Sequence, residues 1–454
     1  MKQIKDPIHG YIPADDVFIE SIIDKKPYQR LRNLKQLSAT YLVYPSANHT
    51  RFEHSIGVYY LAKQAFNSLK KEEEFCDGID TDEVERTLLS AALLHDIGHP
   101  PFSHIGEQLL DKDRIREELQ RYELQHRLDE AGVQSGLGNE DIIDEKAEHE
   151  LLGCLIILSE YEHVLETKLD VDPYEVCGYV LGVSLKGEAG EGWQHSVAAD
   201  ILSSPMDVDR LDYITRDNKM SGADVANVDT ERLVASYTTC DESLTFSDKA
   251  LSAIGDYLQG RVSVYMWITQ HHKAVYANAL LRELLTELDG EMAEALFTTD
   301  KIVNEHIGDH YVMQKLREYS AEDPNSRLAR LYDRYVSRNL INSVWKHRMA
   351  YQNKINDEIQ NDFEIEVDTR GEEIQQTLTR ELDLDRDDLW VETSYVPNYQ
   401  PSELHNIHIA HEGVKTPISE IGVYEERGYP GPTPYIFAPA ELEDDICSLI
   451  NDAY

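Results

Sequence analysis

The stretch AALLHDIGHPPFSH, residues 91–104, decides the fold. Its front half closes the run VERTLLSAALLHDIG (84–98), in which Leu88, Leu89, Ala92 and Leu93 recur at helical spacing on one apolar face. Pro100 and Pro101 forbid that helix to continue. The pattern therefore predicts His95 and Asp96 in the last turn of a buried helix, with His99 and His104 on the loop beyond. Imidazoles and a carboxylate carried out of a core cost free energy unless they are paired or coordinated. Their partners must come from distant parts of the chain.

Outward from this stretch, helical periodicity dominates from about residue 15 to 360. HSIGVYYLAKQAFNSL (54–69) sets Ile56, Tyr60, Leu61 and Phe66 near one face. PMDVDRLDYITRD (205–217) carries Asp209, Asp212, Tyr213, Arg216 and Asp217 along one side, at offsets of three and four. AEHELLGCLIIL (147–158) and HHKAVYANALLRELL (271–285) are further helices. Residues 110–148 are highly charged and hold the glycine-bearing turn GVQSGLGNED (132–141), so they are expected as an exposed excursion from the core. Past 360 the texture changes: LWVETSYV (389–396), NIHIAH (406–411) and TPYIFAP (433–439) have strand-like composition and alternate with turns such as GYPGPTP (428–434). A helix, AELEDDICSLINDAY, closes the chain. The expected fold is mostly α: a helical core over 1–360 and a smaller C-terminal α+β lobe over 361–454.

Composition narrows the function. The chain of 454 residues, 41% of them hydrophobic, is long enough for a real core and a second lobe. No apolar run reaches the length of a membrane span, and MKQIKDPIHGY lacks the apolar stretch of a signal peptide, so the chain reads as soluble and cytoplasmic, with no membrane partner. Five cysteines without short paired spacing argue against a zinc knuckle or a disulfide framework. Acidic residues number 85 against 43 basic ones, a formal net charge of −42. Such a field disfavours general binding to a nucleic-acid backbone. Dispersed through helical stretches and not gathered in a tail, the acid is expected of a halophilic chain from a salt-rich cytoplasm, where the Debye length shrinks to about 3 Å near molar salt.

The first partner for the opening cluster is His54 in RFEHSIG, near the start of a helix, and the second is Asp209. With His95 and Asp96 they make two imidazoles and two carboxylates, a mixed N/O set suited to Fe, Mn, Ni or Zn. Each element alone is ambiguous; the order H…HD…D, with His99, His104 and His149 around it, carries the reading.

These motifs, DPIHGYI (6–12), IIDKKPYQRLRNLKQL (22–37), YPSANHTRFEHSIGVYYLA (44–62), LLHDIGHPPFSH (93–104) and MDVDRLDYITRD (206–217), together resemble the HD-domain phosphohydrolases, specifically the deoxynucleoside triphosphate triphosphohydrolases. The resemblance implies metal ligands at His54, His95, Asp96 and Asp209, catalytic groups at Asp96, His99, His104 and His149, and nucleotide contacts from Gln36, Arg51, Arg210, Tyr213, Asp217 and Tyr276. It also implies a divalent transition metal, with an additional Mg, and attack on the α-phosphate to give deoxynucleoside and triphosphate. Nucleotide-activated members are homo-oligomers, dimers or tetramers, and Asp24, Gln29, Arg30 and Arg32 keep their activator-site pattern, implying a GTP or dNTP activator. Arg210 stands where mammalian members carry lysine, and Lys5 where they carry asparagine. Two other functions fit the same residues: a broader HD phosphohydrolase acting on nucleoside mono- or diphosphates or cyclic nucleotides, and a non-catalytic nucleotide-sensing or nucleic-acid-binding protein.

Overall fold

The structure is a computed structural model that describes residues 2–135, 142–186, 192–345, 357–394, 404–422 and 433–453. The chain opens with an antiparallel hairpin, β1 (Lys2–Asp6) and β2 (Gly10–Ala14), followed by the short helix α1 (Lys26–Arg30). Two helices then form the centre of the molecule: α2 (Arg51–Leu69) and α3 (Thr81–Leu94). Thr50 and Glu53 close the start of α2 as a reciprocal capping box, and Asp80 accepts from the backbone N–H groups of Asp82 and Glu83 at the start of α3. Helix α3 stops at Leu94, so His95 and Asp96 lie in the turn just past it and not, as expected, in its last turn; the two prolines lie beyond, and His104 is not on a loop but opens the one-turn helix α4 (His104–Glu107).

The charged stretch that follows is helical, α5 (Lys112–Leu119) and α6 (Leu124–Ser135), and Ile115, Leu119, Leu124 and Leu128 are buried in the main core. It is thus pinned down by one apolar stripe per helix, which its average charge conceals; residues 136–141 of its turn lie outside the described residues. The core continues through α7 (Glu148–Ile156), α8 (Pro173–Val180), α9 (Trp193–Leu202) and α10 (Val208–Ser221), and then a hairpin of β3 (Tyr237–Cys240) and β4 (Ser243–Ser247). Helices α11 (Leu251–Val264), α12 (His272–Glu291), α13 (Asp309–Glu322) and α14 (Arg327–Val336) complete it. The fold is mostly α, as expected.

In the C-terminal third, β5 (Ser343–Trp345), α15 (Asp357–Glu381), β6 (Trp390–Ser394), β7 (His408–His411), β8 (Val414–Pro417), β9 (Thr433–Phe437) and α16 (Glu443–Ala453) follow. The segment does not fold as a single block after residue 360. β5 comes from before that point and pairs with β9, which pairs with β6 in one antiparallel sheet over a second apolar cluster that includes Trp345, Phe363, Ile436 and Ile450. β7 pairs in parallel with β4 and antiparallel with β8, so this hairpin extends the sheet of the main body. The turn residues 428–432 lie outside the described residues.

One buried carboxyl is bonded but faces only an uncharged imidazole: His195 Nδ1 lies 3.6 Å from Glu175 Oε1, and burial lowers His195 to about 4. Glu175 on α8 is fully buried; it accepts from the Ser184 hydroxyl at 2.7 Å and the Leu185 N–H at 2.9 Å. Burial, only partly offset by those bonds, pushes its pKa up to about 7. The folded chain therefore binds this proton more tightly than the unfolded chain. The stability it contributes is present below pH about 4.5 and is lost as pH rises to about 7. Glu175→Gln, which keeps the shape and stays neutral, is expected to gain stability over the parent through that window, by on the order of 2–3 kcal/mol above it in urea unfolding. A difference that does not change with pH would contradict the buried-proton account.

Candidate metal centre and active site

Three separate elements deliver the ligand candidates: His54 from the first turn of α2, His95 and Asp96 from the turn that ends α3, and Asp209 from the first turn of α10. The structure brings them together. His54 Nε2 lies 2.9 Å from Asp209 Oδ1 and 3.3 Å from His95 Nε2. Asp96 reaches the same point, with Oδ2 3.7 Å from His54 Nε2 and Oδ1 3.5 Å from His95 Nε2. His54, His95 and Asp209 form one of two groups among the described residues with ligand atoms close enough to share an ion.

The ring nitrogens facing away from this point set the protonation of those facing it. His54 Nδ1 lies 2.8 Å from Asp212 Oδ2, and Asp212 is gripped at two points by the Arg216 guanidinium, at 2.7 and 3.0 Å. Despite burial, Arg216 and the imidazoles of His54 and His9 hold the Asp212 carboxyl well below the usual carboxylate range, so it can only accept and His54 Nδ1 must donate. His95 Nδ1 likewise donates to the Ala92 carbonyl at 2.9 Å. With both Nδ1 atoms carrying hydrogen, the two Nε2 lone pairs point at each other and at Asp209. A proton or a cation has to lie between them. Burial alone would lower the His54 pKa, but its contacts with Asp209 and Asp212 raise it to about 10. Imidazole nitrogens and carboxylate oxygens converging at these distances fit a divalent transition ion.

Arg51 stands over the centre. Its NH1 donates to Asp96 Oδ2 at 2.7 Å and its Nε to the Ser103 hydroxyl at 2.8 Å. Although burial opposes ionisation, Arg51 with His95 and His99 holds Asp96 well below its ordinary range. Beyond Asp96 lies a second cluster. His99 Nε2 is 3.2 Å from Asp96 Oδ1, and His99 Nδ1, His104 Nδ1 and His149 Nδ1 approach one oxygen of Glu107 at 2.9, 2.9 and 3.1 Å. The rings of His99 and His149 stack at 3.8 Å. Burial and the Arg51 charge push His99 down to about 3, leaving it neutral; Glu107, which stays ionised among the three imidazoles despite burial, outweighs the same penalty at His149 and raises it. His104, two-thirds exposed, stands at the rim. Glu107 had no role in the sequence reading, though HIGE places it one turn from His104.

The two clusters are held in register by backbone contact. A Cβ on Gly98 would fall 2.1 Å from the His149 carbonyl oxygen and 2.3 Å from the Gly153 nitrogen, so only glycine lets α7 bring His149 against the HDIGH turn.

The nucleotide-contact candidates divide. Gln36 and Asp217 sit together through His49: the Gln36 N–H donates to the His49 carbonyl at 3.1 Å, and His49 Nε2 lies 2.7 Å from Asp217 Oδ1. Gln36 Oε1 and His49 Nδ1 are buried with no hydrogen-bond partner among the described residues. The Tyr213 hydroxyl, one turn past Asp209, lies 3.3 Å from that of Tyr265. Arg210 is half-buried and folds back onto Asp207 and the Ser204 carbonyl at the start of its own helix. Tyr276 is not brought to the centre. It is fully buried, with its ring against Trp390 and Phe437 and its hydroxyl 3.5 Å from Arg334, because β6 and β9 pack over that face of α12.

The activator candidates divide as well. Asp24, Gln29 and Arg32 line the outer side of α1: the Gln29 amide donates to the Ile23 carbonyl at 2.7 Å, and Arg32 donates to Gln29 Oε1 at 2.8 Å while lying over the Phe52 ring. Arg30 points inward instead. It is buried and donates to the carbonyls of Ile97 and His99, at 2.5 and 2.8 Å, bracing the HDIGH turn from behind.

Against this geometry the comparisons with known proteins fall into place. Residues 51–216 match the family model of the HD domain. The chain is 27% identical over 285 residues to the uncharacterized protein YwfO of Bacillus subtilis, covering 63% of this chain and 55% of that protein. It is 29% identical over 309 residues to the deoxynucleoside triphosphate triphosphohydrolase SAMHD1 of Gallus gallus, covering 64% and 46%. The chain thus spans about half the length of the curated relatives it matches. Among solved structures, a phosphohydrolase from Bacteroides thetaiotaomicron superposes with a TM-score of 0.66 at 20% identity, covering 96% of this chain and all of that one, a likeness of fold.

Arg30→Ala would leave two buried carbonyls without donors and is expected to cost on the order of 2–4 kcal/mol in denaturant unfolding. An Arg30→Ala protein as stable as the parent would return this arginine to the ligand-binding set.

Proposed function

We propose, from the premise that this chain is an HD-domain protein of the dNTPase-like family, that it is a metal-dependent hydrolase of deoxynucleoside triphosphates, releasing the deoxynucleoside and triphosphate. The observation that carries the reading is the pair of Nε2 lone pairs of His54 and His95 facing each other beside Asp209. The family relationship supports the hydrolase; the choice of a dNTP rests on the SAMHD1 relatives, which are named for that activity.

His54, His95, Asp96 and Asp209 would hold the ion, of the class Fe, Mn, Ni or Zn. When bound, it lowers the pKa of a water and polarises a phosphoryl oxygen. The chain supplies the rest. Asp96 and Asp209 accept from the attacking water and aim it. Arg51, already charged and anchored by Ser103, offsets charge growing on the phosphate, where one well-placed donor is worth a few kcal/mol. Arg210 reaches a phosphate by exchanging its contact with Asp207. The unpartnered acceptor of Gln36, next to His49 and Asp217, suits a hydroxyl donor such as that of a sugar, with Tyr213 alongside. His149, whose proton Glu107 retains, and His104 at the rim are the groups placed to protonate the departing oxygen, while neutral His99 bridges them to Asp96. Asp24, Gln29 and Arg32 form the outer surface on which a GTP or dNTP activator and a second subunit would meet, in a homo-oligomer that works in the cytoplasm.

Metal-loaded protein offered a panel of dNTPs, with and without GTP, is expected to yield inorganic triphosphate by chromatography. His95→Ala and Asp209→Ala are each expected to lose the metal by elemental analysis and turnover by at least a hundredfold. Release of pyrophosphate or orthophosphate would favour the broader phosphohydrolase, and tight nucleotide binding without turnover a sensor.

We read the charge of −42 as halophilic adaptation. Lowering KCl from about 2 M to about 0.1 M lengthens the Debye length from a few ångströms to about 10 Å. The melting temperature is expected to fall in parallel; one that does not move removes the halophilic reading.

A further inference from the structure

The N-terminal hairpin lies well outside the matched HD segment of residues 51–216, yet it touches the far side of the metal centre. His9 Nε2, in its turn, lies 2.6 Å from Asp212 Oδ1, while Asp212 Oδ2 lies 2.8 Å from His54 Nδ1. Arg216 completes the shell: besides its two bonds to Asp212, its NH1 donates to Asp6 Oδ2 at 2.9 Å. The other oxygen of Asp6 accepts from the backbone N–H groups of Ile8 and His9, both at 2.8 Å. One carboxylate therefore shapes the turn and docks it onto Arg216. Asp212 in turn receives His9 Nε2, His54 Nδ1 and two guanidinium nitrogens, which fills its acceptor capacity.

This assembly has no slack on its other side. A Cβ added to Gly57 of α2 would lie 2.0 Å from Asp212 Oδ1 and 2.5 Å from Arg216 NH2, so the carboxylate and the guanidinium rest directly on the backbone of the helix that carries His54. Arg216 holds both oxygens of Asp212, and His9 adds a second, shorter contact to Oδ1. The His54 ring follows the plane of that carboxylate.

We infer that His9 is a positioning residue for the metal centre: by donating to Asp212 it fixes the carboxylate that holds His54 in its Nδ1–H tautomer with Nε2 aimed at the ion, making the N-terminal hairpin part of the site. The inference rests on the metal reading proposed above. Without His9, Oδ1 of Asp212 keeps only its 3.0 Å bond to Arg216, so the carboxylate is held less firmly in the orientation that the His54 ring follows. Partners of this kind, one step removed from the ion, commonly control 10–100-fold in metal affinity.

The test uses the full chain, stripped of metal, and Mn2+ alone as the probe, titrated calorimetrically at one pH. His9→Leu is expected to weaken Mn2+ binding by at least about tenfold, whereas His9→Gln, whose amide places an N–H near Nε2, stays within about threefold of the parent. The melting temperatures of the three metal-free proteins should agree, separating positioning from folding. Should His9→Leu not fold, His9→Asn, whose shorter amide falls short of Asp212, takes its place. Equal affinity for the parent and His9→Leu overturns the inference and leaves the metal reading standing, as does a His9→Gln protein as weak as His9→Leu. A parent that binds no Mn2+ overturns the metal reading, and this inference with it.

Discussion

Two imidazoles whose outward nitrogens are already committed leave their inward lone pairs opposed, and the rest of the molecule is organised around resolving that opposition. His95 spends its Nδ1 hydrogen on the Ala92 carbonyl, one turn back along the helix that ends there. His54 spends its own on Asp212, a carboxylate that Arg216 keeps ionised. Neither choice is free to reverse, because in each case the partner can only accept. What faces inward is a pocket of electron pairs with Asp209 and Asp96 at its walls. Buried charge of one sign is expensive, and the contacts of His54 with Asp209 and Asp212 accordingly favour its charged form.

Holding four groups from three helices at contact distance demands unusual closeness of backbone, and the glycines mark where it occurs. At Gly98 the turn after α3 meets α7, which brings His149 within 3.1 Å of Glu107 beside His99. At Gly57, α2 meets the Asp212–Arg216 pair of α10. Arg30 seals the reverse face of the same turn by donating to the carbonyls of Ile97 and His99, which lie beyond the end of α3. The apolar contacts of Leu88, Leu93 and Leu94 supply the bulk of the packing here, but the polar braces fix its position.

Much of this was legible in the residues. The helical period through VERTLLSAALL, cut by Pro100 and Pro101, located the end of α3, and the order H…HD…D named side chains that do converge. What stayed hidden depends on contacts between segments far apart. Arg30 sits in QRLR, where spacing cannot say which arginine turns inward; only Ile97 and His99, nearly 70 residues on, decide it. Tyr276 falls on a helix face that is equally apolar on the side toward the centre and the side toward β6, so periodicity could not choose between them. The mean charge of residues 110–148 masked a thin apolar stripe. The strand pairing of β5 with β9 and of β4 with β7 spans too much sequence for local pattern to reveal, and it is what carries the chain back and forth across residue 360.

The charge of the chain poses the sharpest physical question for the site, because a net charge of −42 repels the anionic substrate proposed above. Attraction must then be local and short-ranged. Arg51 is buried beside the centre, where the dielectric is low and its field is screened less than those of the surface carboxylates. Salt therefore acts on the two fields unequally: it collapses the repulsion of the exterior over a few ångströms while leaving the buried positive groups nearly intact. On the halophilic reading proposed above, a concentrated electrolyte would ease substrate access as well as stabilise the chain.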